Sequence, residues 1–182
     1  MKNSPTKTQD ERKQNIIQKT MLEEGGYIDN LRLIDQITNT GITQTALDKY
    51  NKDHPNFNFP KNLKQLTREQ VQQIYSTDYY DEHQIGKIKN ERIATAVFDM
   101  GVMSNFNNVV KIVQKTLNYS MGENLNIDGK IGNNTINALN NIPDNKIDDF
   151  MRNLKANRIE YLQKLSGWNK YGKGWTARTN RY

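Results

Sequence analysis

The chain has 182 residues, no cysteine, two histidines (His54 and His83) and a formal charge of +6 from 26 Lys+Arg against 20 Asp+Glu. Its length can bury a sizeable core without covalent staples. The missing cysteine excludes disulfides, thiolate metal centres and thiol catalysis, and two histidines argue against a multi-histidine metal site. No apolar run approaches the ~18 residues of a transmembrane helix, so no integral membrane association is expected. Met1 to Lys13 is polar and lacks an apolar h-region, so no Sec-type signal is expected. The charge is uneven. Residues 1–151 carry 18 basic and 19 acidic side chains, net −1, whereas 152–182 carry 8 basic side chains and only Glu160, net +7. Such a segment fits nucleic acid, an anionic cell surface or plain solubility.

In chain order, residues 1–9 read as a disordered lead-in. The spacing of Ile16, Ile17, Met21 and Leu22 predicts a helix from about Asp10 to Glu24, stopped by Gly25-Gly26. Residues 27–42 show no helical period and read as a long loop, with at most a small β-hairpin closing at Gly41. A short helix over Thr45–Asn51 and a Pro- and Asn-rich connection over 53–63 follow. Thr67-Arg68-Glu69-Gln70 has the form of a capping box. It opens a helix running to about Tyr80, with Val71, Ile74 and Tyr75 facing inward. Further helices are expected at about Glu91–Met103, which contains Asp99, at Asn107–Leu117 and at Asn133–Leu139, with a turn at Asp128-Gly129. The clearest amphipathic pattern lies over 145–165. There Ile147, Phe150, Met151, Leu154, Tyr161, Leu162 and Leu165 follow three- and four-residue steps, the stem of Arg158 fills the remaining one, and Gly167 ends the helix.

The segment Glu23-Glu24-Gly25-Gly26-Tyr27 carries the most chemistry. A carboxylate at the end of an apolar helix meets the negative end of the macrodipole, and both dipole and burial disfavour its ionised form. Those signs suit a general acid that keeps its proton near neutral pH. The dipole supplies only about 0.3–1 kcal/mol, so desolvation has to supply the rest. The two glycines leave room for a bulky polymer to approach the backbone. The plainer reading of the same residues is a solvated Glu before a glycine cap.

Over residues 15–175 the chain resembles the glycoside hydrolase family 108 muramidases. Glu24-Gly25-Gly26-Tyr27 matches the family's E-G-G-Y motif, and Thr38-Asn39-Thr40-Gly41-Ile42-Thr43 its T-x-x-G-I-T. Tyr79-Tyr80-Asp81 stands where the family often has Tyr-Trp-Asp, followed by Ala96-Val97-Phe98-Asp99. Asp128-Gly129-Lys130-Ile131-Gly132-x-x-Thr135 resembles the D-G-x-I-G-x-x-T of its peptidoglycan-binding region, and Gly167-Trp168 with Gly174-Trp175 resembles the C-terminal end. One loop differs. The family's Asp-Pro-Gly-Gly is replaced at equal length by Leu33-Ile34-Asp35-Gln36, which puts Leu33 at the usual Asp position.

The resemblance implies a mainly α, lysozyme-like fold, with a catalytic domain over 10–103 and a C-terminal helical peptidoglycan-binding region with a basic aromatic tail over 104–182. It implies an N-acetylmuramidase that cleaves the β-1,4 bond between N-acetylmuramic acid and N-acetylglucosamine. Glu24 is then the general acid, and Asp35, Asp29, Thr38 or Thr43 is the candidate second group, since a glycosidase usually needs one to handle water or the oxocarbenium charge. Gly25, Tyr27, Asp29, Tyr79 and Tyr80 are the candidate substrate contacts, with core packing the other reading of Tyr79 and Tyr80. Asp99 reads as structural, His83 as a surface residue, and Trp168 and Trp175 as a cap on the long helix or as substrate contacts. No metal and no cofactor are expected. The expected partner is the glycan strand of peptidoglycan, acted on in the periplasm or outside the cell, and a monomer is expected. Without a Sec signal, export would use a holin or a dedicated secretion machine. Two rival readings remain: a non-catalytic wall-binding or secretion-assisting module of the same fold, and a nucleic-acid-binding protein. The second conflicts with the neutral bulk and the lack of a reader motif, so no nucleic-acid partner is expected.

Overall fold

The computed structural model describes residues 8–23 and 42–182, which divide into two compact units meeting at Gly86 and Lys87. Among the described residues the ordered elements are helical and no strand is present. The hairpin expected within 27–42 lies outside them, apart from Ile42.

In the first unit, α1 (Gln9–Glu23) opens on a reciprocal cap in which Thr8 Oγ1 accepts from Glu11 N–H while the Glu11 carboxylate accepts from Thr8 N–H. Its buried face carries Ile16, Ile17 and Thr20. α2 (Gln44–Asp53) starts at Thr43, whose Oγ1 accepts from Ala46 N–H at 3.1 Å. It buries Leu47 and Tyr50, and the Tyr50 ring packs on Phe57, Phe59 and His54. α3 (Arg68–Ile74) begins at the capping box read from the sequence, with both reciprocal bonds formed between Thr67 and Gln70. It runs directly into a π-helical segment, Tyr75–Asp81, in which Glu82 N–H reaches back five residues to Thr77 C=O. α1 packs on this segment, where Lys13 pairs with Asp81 at 2.6 Å, and Gln14 also bonds Gln72 of α3.

The second unit is a helical assembly around α5 (Phe106–Met121), which packs against α4 (Glu91–Val102), α6 (Asn133–Asn140) and α7 (Ile147–Gln163); α8 (Trp168–Thr179) packs on α7. α4 is buried on almost every side, from Ile93 to Val102. It belongs to the second compact unit, where it packs against α5. At Gly101 a side chain would begin about 2.1 Å from the Phe106 ring, so the absence of a Cβ lets α4 and α5 close on each other. On α7 the expected face holds at Phe150, Met151, Leu154, Arg158 and Leu162, all buried, while Ile147, Tyr161 and Leu165 lie at its half-exposed margin. Each fully buried large apolar side chain there is worth about 1.5–3 kcal/mol. The twelve-residue α8 was not expected from the sequence.

Candidate functional site

α1 delivers the chain to the proposed catalytic segment. Its last residue is Glu23, and Glu24 follows it in sequence; Thr20, on the buried face, stands four residues before Glu24. Glu24, Gly25, Tyr27, Asp29, Asp35 and Thr38 lie outside the described residues. Thr43, Tyr79 and Tyr80 lie within them. Thr43 caps α2, so one lone pair of its hydroxyl is committed to Ala46 N–H while its own O–H stays available to donate.

Tyr79 and Tyr80 part company on the π-helical segment. Tyr80 is only 4 % exposed, with Gly86 against its ring edge and the Lys13 ammonium 5.4 Å from its ring centre. Of its two readings, core packing is the one this environment allows, since no ring face is open to a sugar. Tyr79 remains half-buried with its edge against Tyr75, and burial pushes its phenol up. Beside them, Asp78 Oδ1 accepts from His54 Nε2 at 3.0 Å, and the Asp78 carboxylate lies 4.0 Å from Lys49, which is bonded more closely to Asp53. His83 is half-buried rather than a surface residue, and that burial lowers its pKa, which keeps the ring neutral at pH 7. Among the described residues no cluster of His, Asp or Glu is arranged to hold a metal ion.

In the second unit, the motif at 128–135 is a clamp on α5. Gln114 donates to Asp128 Oδ1 at 2.9 Å, Lys130 C=O at 3.2 Å and Thr135 Oγ1 at 3.2 Å, and its carbonyl accepts from Gly129 N–H at 2.9 Å. The bonds from Lys130 N–H and Gln114 hold the Asp128 carboxyl below its usual range. Gly129 has φ +77°, and Asn107 occupies the space a Cβ would take, so both the backbone and the close approach require glycine. These residues build the loop, with Asp128 Oδ1, Gly129 N–H, Lys130 C=O and Thr135 Oγ1 all bonded to Gln114.

Residues 17–104 match the family model described as glycosyl hydrolase 108, and residues 108–180 match one described as a predicted peptidoglycan domain. Residues 17–104 thus belong to the glycosyl hydrolase 108 family. The pair of domains supports a glycoside hydrolase that acts on cell-wall peptidoglycan, hence in the periplasm or outside the cell. No curated protein matches the hydrolase in sequence. Among solved structures, that of SagA from Brucella abortus matches with a TM-score of 0.69 at 23% identity, over 93% of this chain and 90% of that one. At that identity the likeness speaks for the fold.

The hydrolase's basic segment differs from its formal charge. Asp99, 2 % exposed, receives a two-pronged grip from Arg178, with Nε at 3.0 Å and Nη2 at 2.6 Å, and a bond from Tyr182 Oη at 2.5 Å. Arg158 is buried at 4 % and donates to Ser104 Oγ at 2.6 Å. Of the eight basic side chains in 152–182, Arg158 is therefore buried and Arg178 half-buried, and Asp99 acts as structure. A buried Asp in an apolar helix requires a cation; that was the available signal for Arg178, although the sequence did not say which cation. Trp168 and Trp175 both sit on α8, half-buried, with ring centres 6.5 Å apart.

Proposed function

We propose that the hydrolase is an N-acetylmuramidase that cleaves the β-1,4 bond between N-acetylmuramic acid and N-acetylglucosamine, with Glu24 as general acid. The observation that carries this reading is the glycosyl hydrolase 108 match over 17–104, in which Glu24-Gly25-Gly26-Tyr27 directly follows an amphipathic helix ending at Glu23. Glu24 protonates the leaving oxygen as the bond breaks. The second group, which handles water or the oxocarbenium charge, comes from Asp35, Asp29, Thr38 or Thr43, and Tyr79 lines the approach. The catalytic portion is assigned to 10–103 and the wall-binding portion to 104–182. The substrate lies outside the cytoplasm, so release through a holin or a dedicated secretion machine completes the scheme.

Glu24→Gln preserves shape and removes the proton. It should lower the release of soluble fragments from purified sacculi by at least about 10²-fold while leaving the circular dichroism spectrum unchanged. Mass spectrometry of the wild-type products should show reducing-end N-acetylmuramic acid. Full activity in the variant overturns the role of Glu24, and reducing-end N-acetylglucosamine overturns the bond assignment. Binding to sacculi with no fragments released would mean a wall-binding module instead.

A further inference from the structure

The second unit carries a half-open groove of about 220 Å³ between α5 and α7, lined by none of the candidate catalytic or substrate-contact residues. Its floor is Ile112, which is buried, with Ile127, which is 51 % exposed. Its rim carries Lys111 and Lys115 from α5 and Lys164 and Glu160 from α7. Lys164 and Lys115 share the single carboxylate of Glu160, at 2.7 Å and 3.7 Å, and Lys111 has no ion-pair partner among the described residues. Three ammonium groups therefore face one carboxylate.

The polar walls are fixed in place. Asn108 Nδ2 donates to Tyr161 Oη at 3.1 Å, and Asn157 Nδ2 donates to Thr116 Oγ1 at 2.9 Å. Arg158 lies over the Tyr161 ring at 5.5 Å, which occupies one face and leaves the groove poorly suited to stack a sugar. The volume is below the roughly 300–1,000 Å³ that encloses a whole small ligand. It suits the end of a chain with small side groups better than a disaccharide.

We propose that this groove seats the carboxylate end of a peptidoglycan stem peptide, with Lys111 and Lys115 holding the carboxylate and Ile112 and Ile127 contacting its alanine methyls. Stem peptides are short chains of alanine with dicarboxylic or diamino acids, and they carry both signs of charge. The surplus of ammonium groups meets their carboxylates, and Glu160 meets their amine. A polyphosphate or nucleic acid has no counterpart for Glu160. The inference rests on the reading of this protein as a peptidoglycan hydrolase and deepens it, because the binding unit then recognises the peptide rather than the sugar backbone.

The test uses the full chain carrying Glu24→Gln, so that the polymer survives the measurement. Binding is compared between intact sacculi and glycan stripped of its stem peptides by an amidase. The intact polymer should bind about three- to tenfold more tightly, the range expected for two exposed charge contacts. Lys111→Glu with Lys115→Glu, both on the exposed face of α5, should erase that preference with an unchanged circular dichroism spectrum. Equal binding to intact and stripped polymer, or an unchanged preference in the double variant, overturns the groove assignment and leaves the hydrolase reading standing. No binding to either polymer and no fragments from the wild type overturn the hydrolase reading and the groove with it.

Discussion

Asp99→Asn tests whether the buried end of α8 is held by charge. The substitution keeps the size of the side chain and removes the negative charge and one acceptor. It leaves the Arg178 guanidinium, whose side chain is 14 % exposed, and the Tyr182 hydroxyl facing a neutral amide. Arg158, buried nearby, loses the charge that favours its ionised form. Removing one partner of a buried ion pair costs about 3–5 kcal/mol, and the residual exposure of Arg178 argues for the lower end, about 3 kcal/mol. With a urea slope of about 1–3 kcal/mol/M for a small unit, the midpoint should fall by about 1–3 M. The protein supplies its own reporter, since its two tryptophans, Trp168 and Trp175, both lie on α8. Urea titration followed by tryptophan fluorescence therefore reads this element. Asp99→Asn with Arg178→Gln should cost much less than the two single changes added together, because the stranded charge is gone. A midpoint shift near zero, as for an exposed pair, would refute the argument.

Two further outcomes follow from the same reasoning. Burial, and then the Asp99 carboxylate beside it, push the Tyr182 phenol far up against the opposing pull of Arg178 and Arg158. The unfolded chain ionises it near pH 10 while the folded chain keeps the proton, so its contribution is full below about pH 10 and is lost as pH rises. Tyr182→Phe should cost about 1–2 kcal/mol at pH 7 and flatten the fall in urea midpoint between pH 9 and pH 11; an unchanged slope would assign that fall to Tyr50 and Tyr79, which burial also raises. Thr67→Ala removes the reciprocal cap of α3 and should cost about 1 kcal/mol, read as a lower thermal midpoint by circular dichroism, with Thr67→Ser restoring most of it.

Local rules carried the sequence reading a long way. The Thr67–Gln70 box and the face of α7 each depend on residues within a turn or two of one another, and both hold in the structure, whereas α7 already ends at Gln163 and Gly167, expected to stop it, leads into α8 instead. The inward stem of Arg158 was legible because its neighbours left one gap in the apolar repeat. Long-range partners were not legible. Arg178 lies 79 residues from Asp99, and nothing local chooses it over seven other basic side chains in the segment. α8 went unread because Gly172 and Gly174 cost helix propensity that packing against α7 repays. The net charge misled for the same reason, because counting ions does not reveal which of them face water. The family motif pointed to Glu24, whereas the Gln114 clamp shows that a matched motif such as 128–135 can be spent on holding a loop.

The π-helical segment has a consequence for chain length. In an α-helix, residues five apart lie about 140° from each other around the axis, yet Tyr75 and Tyr80 are both buried because the hydrogen bonds here span five residues and the wider turn brings such a pair toward one face. The segment therefore behaves as an α-helix with a residue let in. Removing a residue between Tyr75 and Tyr79 would restore the ordinary ladder and leave Tyr80 four residues after Tyr75, about 40° away and still on the buried face. Keeping every residue but forcing an α-helical ladder would instead turn Tyr80 about 140° from Tyr75, off the core face. The wider turn thus absorbs one residue locally, and a relative one residue shorter here would keep the same tyrosine buried.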